Sequence, residues 1–280
     1  MKIRKAVITA ASPAQRDLPL QTLVDRDGER KAVLCLQVAE MLKAGVEQVA
    51  VVVGPGDDIA YRSAVRMYAD RVRFLIQDEP RGYGHALFQA AAFLEGEPFL
   101  HQVGDHLFVT ANGEGAAEQI VRVAEENGCA VSGVQATRET LLTSFGTVGG
   151  QRVPGVADRY TVERVAEKPT PTEAEQSLII PGLRVGHYLC FMGTHVLTSN
   201  VMDLLGEAVG NPVNERVGLS PVLDRVARHE KYLAVQVTGR RFHLDNRWGL
   251  LNAQLALALS GEDRDTVLTE LVSLLATART

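Results

Sequence analysis

Short runs of β-branched and small apolar residues at 6–10, 49–53, 72–76, 99–103 and 130–134 recur through the first half of the chain. Apart from Arg73, His101, Gln102 and Ser132 they are continuous rather than alternating, which means that both faces are covered, as in a parallel or mixed sheet between helices. Between them, Leu34, Val38, Met41 and Gly45 share one helical face, and Asp57 with Asp58 follows a Val-Gly-Pro-Gly turn as a helix start. A further helix is predicted over 82–94, ending before Gly96. Together these give a βαβ core.

Beyond about residue 140 the rhythm changes: Gly146, Gly149, Gly150, Pro154 and Gly155 punctuate short polar strands of hairpin type. This predicts an antiparallel insertion that caps one side of the sheet. Residues 185–280 predict a strand at 188–192, helices at 196–205 and 219–228, a strand at 233–237 and closing helices. The spacing of Trp248, Leu251, Leu255 and Leu259 is that of a helical stripe docked on a core. The expected fold is a Rossmann-like α/β domain over 1–280, with a mixed, mostly parallel sheet between helices. Its parts are 1–140, an antiparallel portion at 141–245, and C-terminal helices at 246–280.

A chain of 280 residues with 46% hydrophobic and 22% charged residues can bury one large core, and shows no sign of disorder or repeats. The net charge of −5 offers no global attraction to nucleic acid or an anionic membrane, so neither is an expected partner. Any anionic substrate must therefore meet local cations or a metal. No run approaches the roughly 18 apolar residues of a membrane span, and the apolar stretch at 6–11 is too short for a secretory core. Cys35, Cys129 and Cys190 form no close pair, which argues against a disulfide framework or a zinc site and for a reducing cytoplasm.

Three strand ends carry candidate chemistry. The first strand runs into Ala10-Ala11-Ser12-Pro13-Ala14-Gln15-Arg16, where small side chains let the backbone approach phosphates and a cation follows. After the third strand come Gln77-Asp78-Glu79-Pro80-Arg81-Gly82-Tyr83-Gly84-His85-Ala86; an amide can read a pyrimidine edge, and Gly82 can bring its backbone to the same base. At the fourth, Val103-Gly104-Asp105-His106 places a carboxylate where Mg²⁺ could bridge nucleotide phosphates. Each also reads as an ordinary surface loop when taken alone.

In order, and followed by Phe145-Gly146 and Val165-Ala166-Glu167-Lys168-Pro169, these segments resemble the sugar nucleotidyltransferases, especially the bacterial UTP:glucose-1-phosphate uridylyltransferases. The similarity covers nearly the whole chain, including Ala44-Gly45-Val46 and the segment 249–253. It implies an enzyme that joins a nucleoside triphosphate, UTP by default, to a sugar 1-phosphate, glucose 1-phosphate by default. It further implies Mg²⁺ as cofactor and a homo-oligomer, dimer or tetramer. Residue by residue, Ala10, Ala11 and Arg16 match the triphosphate loop, Gln77 and Gly82 the uracil-reading pair, and Asp105 the magnesium ligand. Gly146 and Glu167 match contacts to sugar hydroxyls, and Lys168 the cation that holds the sugar phosphate.

The chain also departs from the pattern. The family loop Ala-Gly-x-Gly-Thr-Arg lacks both glycines here, and Pro13 has no N–H to offer a phosphate. The family's phosphate-contacting Pro-Lys pair falls in a shortened, charged stretch where Lys31 is the candidate, with Arg26 and Arg30 as rivals and a solvated loop as the alternative. Near the C-terminus, ungapped matching puts His243 at the family's second metal-binding Asp, leaving His243 and Asp245 as competitors, with Asp245 favoured because a hard cation prefers oxygen. His101, His106, His187, His195 and His229 show no strong ligand spacing, although His106 sits beside Asp105, where a site role is open. These departures motivate a second reading, a catalytically impaired homologue that binds nucleotide or sugar phosphate.

Overall fold

The computed structural model describes residues 1–110 and 113–277. Nine strands form one mixed sheet. From edge to edge the order is Val72–Ile76, Gln48–Val53, Lys5–Thr9, Phe99–Val103, His187–Leu197, Ala130–Arg138, Tyr232–Gln236, Arg159–Glu167 and Gly146–Arg152. The first four are parallel, with Ala6 opposite both Val49 and Leu100. Adjacent residues of the Lys5–Thr9 strand enter different cores: Ile8 packs with Leu34, Val38 and Met41 of helix Val33–Lys43 and with Ile120 of helix Ala116–Asn127. Val7 packs on the other side with Leu87, Val201, Leu205 and Val226, from helices Tyr83–Phe88, Ser199–Gly210 and Ser220–His229. Burial on both faces is the physical reason for the continuously apolar runs. At about 1.5–3 kcal/mol per fully buried aliphatic side chain, this strand, buried throughout, carries far more of the frame than the half-exposed Arg30–Ala32 strand.

The hairpin Gly146–Arg152/Arg159–Glu167 does not cap the sheet. It extends the edge and then curls back, pairing Val148 and Thr147 with Leu189 and Cys190. The His187–Leu197 strand changes partner along its length: residues 189–190 pair with the hairpin, and past an irregularity residues 194–197 pair with residues 99–102. Gly193 sits in that irregularity with φ of 80°, and a Cβ there would lie 2.6 Å from Val103 Cγ2.

Three further expectations are corrected. The helix over 82–94 is two short helices, Tyr83–Phe88 and Ala91–Leu94, because Ala90 (φ −86°, ψ 0°) leaves the helical ladder. The helix expected from 196 begins at Ser199, since Val196 and Leu197 are still paired with Leu100 and Phe99. Helix Gly249–Leu259 docks through Gly249, Ala253 and Leu257, while Trp248 and Leu251 are 63% and 51% exposed. The small side chains decide that face, because a Cβ on Gly249 would fall 1.9 Å from the His243 carbonyl oxygen. Helix Ala116–Asn127 and the antiparallel pair His106–Val109/Arg240–His243 were not anticipated. The three cysteines are free and buried. Among the described residues no helix is long and apolar enough to cross a membrane.

Candidate active site

Asp105 occupies the turn between strands Phe99–Val103 and His106–Val109. Buried Gln37 holds that turn from behind, its Nε2 lying 3.2, 3.2 and 2.7 Å from the carbonyl oxygens of Val103, Gly104 and His106. The Leu244 N–H donates to the Asp105 carbonyl at 3.0 Å, and His106 stands opposite His243 in the ladder. This strand pair therefore carries Asp105, His106, Arg241, His243 and Asp245 to one place.

The hairpin supplies the facing wall. Its register sets Glu167 opposite Gly146, and Ser220 Oγ donates to Glu167 Oε2 at 2.5 Å. A Cβ on Gly146 would come within 2.8 Å of Phe191 Cδ2 and 3.2 Å of Glu167 Oε2, so only glycine leaves this corner open. Lys168 follows with φ of 48°, a left-handed conformation that is rare for a residue with a Cβ. Between the walls lies a cavity of about 590 Å³ lined by Asp105, Gly146, Glu167, Lys168, Arg241, His243 and Asp245, with Gln15, Tyr83, His195 and Ser220 among the rest.

Burial, the largest single influence, opposes ionisation of Asp105, but the contact with His106, Nδ1 to Oδ1 at 3.2 Å, its own backbone N–H and nearby His243 together bring the carboxyl below its ordinary range. His243 is pushed down to about 3 by burial and by neighbouring His106 and Arg241, so it is neutral at physiological pH. Its ring is engaged with His106, Nδ1 to Nε2 at 2.7 Å, and leans on Phe145 at 5.1 Å between centroids. Arg241 is lowered to about 10 by burial and remains a cation. It donates to the Phe191 carbonyl, lies 4.2 Å over the Phe145 ring and has no carboxylate in ion-pair contact among the described residues. The cavity thus sets cationic Lys168 and Arg241 against the carboxylates Asp105, Glu167 and Asp245.

Asp105, Gly146, Glu167, Lys168 and Asp245, all singled out in the sequence, meet in this cavity. Gln77 and Gly82 meet each other beside it: Gln77 Nε2 donates to the Gly82 carbonyl at 3.3 Å and lies 2.9 Å from His85 Nδ1. Ala10 and Ala11 are buried at the end of the first strand, the Ala10 N–H bound to Val52 O at 2.8 Å. From the same loop Gln15 reaches the cavity and donates to Asp245 Oδ2 at 3.0 Å, whereas Arg16 turns to Asp57 at 3.5 Å. Lys31 lies away from the cavity lining, ion-paired with buried Asp25 and 3.9 Å from Asp27. Neither does Arg26, which donates to the Thr110 carbonyl at 2.5 Å. Tyr83, Ser220 and Arg241 were not singled out and His195 was set aside for want of ligand spacing; of these only Arg241 carried a signal, two residues before His243 and hence on the same face of a strand.

The nucleotidyl transferase family model matches residues 23–242 of this chain. The chain belongs to the nucleotidyl transferase family. Over 287 residues this nucleotidyl transferase is 26% identical to UTP–glucose-1-phosphate uridylyltransferase 1 of Streptococcus pyogenes serotype M3, covering 92% of this chain and 90% of the relative. It is 25% identical to uridylyltransferase 2 of the same serotype over 285 residues, covering 92% and 91%. Among solved structures it resembles the UDP-glucose pyrophosphorylase of Acinetobacter baumannii, with a TM-score of 0.76 at 19% identity over 98% of this chain and 99% of the other. It also resembles a putative glucose-1-phosphate thymidylyltransferase of Bacillus anthracis, at 0.66 and 14% over 94% and 96%. These structural likenesses establish the mixed α/β nucleotidyltransferase fold.

Proposed function

We propose that this nucleotidyl transferase joins a nucleoside triphosphate, UTP in the first place, to a hexose 1-phosphate, glucose 1-phosphate in the first place, with release of pyrophosphate. The observation that carries the reading is the placement of Asp105 and Lys168 on one cavity, although they belong to different strand systems. The names of the streptococcal relatives support the pair of substrates.

The acceptor is already ionised, so a phosphate oxygen can attack the α-phosphorus and displace pyrophosphate without a general base; the barrier is the approach of two anions. Lys168 and Arg241 supply positive charge on the acceptor side, and the exposed Glu167 with the open Gly146 corner receives sugar hydroxyls. Arg16 is available for the departing pyrophosphate. Its exposed pairing with Asp57 at 3.5 Å belongs to a class worth about 0–1 kcal/mol, which an anionic ligand can outbid.

Gln77 supports the base. Because the Gly82 carbonyl only accepts, the atom facing it is the amide nitrogen, and His85 Nδ1 takes up the same group. The Gln77 carbonyl oxygen remains as an acceptor for the ring N–H of uracil or thymine, which cytosine lacks.

The donor set fits magnesium. Asp105 stays ionised, Asp245 is a second carboxylate on the same cavity, and the two histidines engage each other. Among the described residues no three side chains form a closed metal site, which suits a cation that commonly uses one or two carboxylates plus substrate phosphates. Asp105 and Asp245 would hold Mg²⁺, which when bound neutralises phosphate charge. The proposal places the enzyme in the cytoplasm as a homo-oligomer; Trp248, Leu251 and Val272 are among its exposed apolar residues.

A second reading, a binding or regulatory homologue without turnover, is favoured by neutral His243 at the second acidic position and by Pro13 in the phosphate loop. Mass spectrometry separates the two. Purified protein is incubated with Mg²⁺, a panel of triphosphates and a panel of sugar 1-phosphates. A nucleotide sugar plus pyrophosphate supports the enzyme; their absence across the panel supports the binder.

A further inference from the structure

Two buried hydrogen-bonded chains end on the acceptor cavity, one through Tyr83 and one through His195. His101 and His195 face each other across neighbouring strands, with ring centroids 6.0 Å apart and planes within 10° of parallel. Both are depressed by burial, His101 to about 4 and His195 well below its ordinary value, so both rings are neutral and each carries one N–H. Which nitrogen carries it follows from the partners.

His101 Nδ1 lies 3.0 Å from the Val7 carbonyl, which can only accept, so the proton is on Nδ1. Its Nε2 must then accept from the Tyr83 hydroxyl, 2.5 Å away. The Tyr83 proton is thereby committed inward, and its oxygen is left as an acceptor.

On the other chain, Ser132 Oγ lies 2.6 Å from His195 Nδ1 and 2.5 Å from the Tyr232 hydroxyl, with all three residues buried. Only one direction satisfies every buried hydroxyl proton: Tyr232 donates to Ser132, and Ser132 donates to His195 Nδ1. Reversing it orphans a hydroxyl proton in the core, at a cost of about 1–3 kcal/mol. His195 is therefore protonated on Nε2, the nitrogen that no atom of the described residues engages.

We infer that Tyr83 and His195 are specificity-determining residues that read one hydroxyl of the acceptor sugar, His195 Nε2–H as donor and Tyr83 Oη as acceptor. A hydroxyl is the group that answers both at once, and the buried chains deny either residue the option of reversing its role. A ligand lacking that hydroxyl leaves a fixed donor and a fixed acceptor unpaired in a desolvated wall. Discrimination of this type is strong, about 100-fold or more. The inference rests on the proposed function and names the feature of the acceptor that the same site selects.

The test has two arms. In the first, kcat/KM is measured with glucose 1-phosphate and its monodeoxy analogues, one for each hydroxyl. One analogue should fall about 100-fold in the wild type, and His195→Leu and Tyr83→Phe should shrink that gap below about 10-fold by weakening the parent substrate. His195→Gln, which keeps an N–H donor, should restore part of it. In the second arm, ¹⁵N NMR of the ligand-free protein should show His195 as the Nε2–H tautomer, and Ser132→Ala, outside the cavity wall, should yield a mixture. An Nδ1–H tautomer, or turnover indifferent to every deoxy position, overturns the inference and leaves the proposed function standing. No turnover with any hexose 1-phosphate overturns both.

Discussion

The backbone N–H of Lys168 donates to the Phe145 carbonyl at 3.1 Å while Lys168 itself is held at φ 48°. The contact closes the open end of the hairpin and fixes where the lysine side chain leaves the backbone, directly beside the Glu167–Gly146 register pair. A left-handed residue with a Cβ carries about 1–2 kcal/mol of strain, which glycine would not. Lys168→Gly should therefore be at least as stable as Lys168→Ala, by about 1 kcal/mol, although both lose sugar-phosphate turnover. Thermal unfolding of the two variants beside their kinetics checks this.

Lys31 gives the opposite expectation. Its ion pair with Asp25, whose own carboxyl accepts from the N–H groups of Asp27 and Glu29, ties down the Arg30–Ala32 strand. Lys31→Met should lower the melting temperature and leave the KM for the triphosphate within about twofold, since a uniform binding contact would instead appear in KM. A tenfold rise in KM with an unchanged melting temperature would return Lys31 to the phosphates.

On the proposed function Gln77 selects the base. With its nitrogen held by Gly82, replacement by Glu keeps an acceptor but removes the donor that anchors it, and replacement by Leu removes both. The wild type should use UTP and dTTP in preference to CTP by about 1–3 kcal/mol, the range for one unpaired buried polar group. Gln77→Leu should erase that preference, as read from kcat/KM ratios.

Acid should destabilise the protein through its buried histidines. The folded-state pKa of His101 is depressed to about 4 from 6.5 because burial disfavours the charged ring. The unfolded chain therefore binds more protons across that interval, and the contribution is fully present above 6.5 and lost as pH falls toward 4. His101→Gln should flatten the dependence of the melting temperature on pH between 6.5 and 4, whatever it does to stability at neutrality.

The sheet was legible because its central, doubly buried strands are apolar along their length; the runs at 6–10 and 49–53 fall on strands Lys5–Thr9 and Gln48–Val53. Helix Gly249–Leu259 was misread because Gly249 and Ala253, not the larger Trp248 and Leu251, face the core, and hydrophobicity alone does not reveal how close two backbones come. Residues of the site stood out where they follow strand ends in recognisable order, as Asp105 and Lys168 do. Tyr83 and His195 did not, since their chemistry depends on Ser132, Tyr232 and the Val7 carbonyl, partners brought to them only by the sheet.

The most direct test of the shared cavity is steady-state pyrophosphate release from UTP and glucose 1-phosphate across a magnesium titration, for the wild type and Asp105→Asn. The account expects sustained, magnesium-dependent release by the wild type and a loss of about 100-fold or more in the variant, the scale of removing a group that stabilises transition-state charge. Equal rates in the two proteins would contradict it.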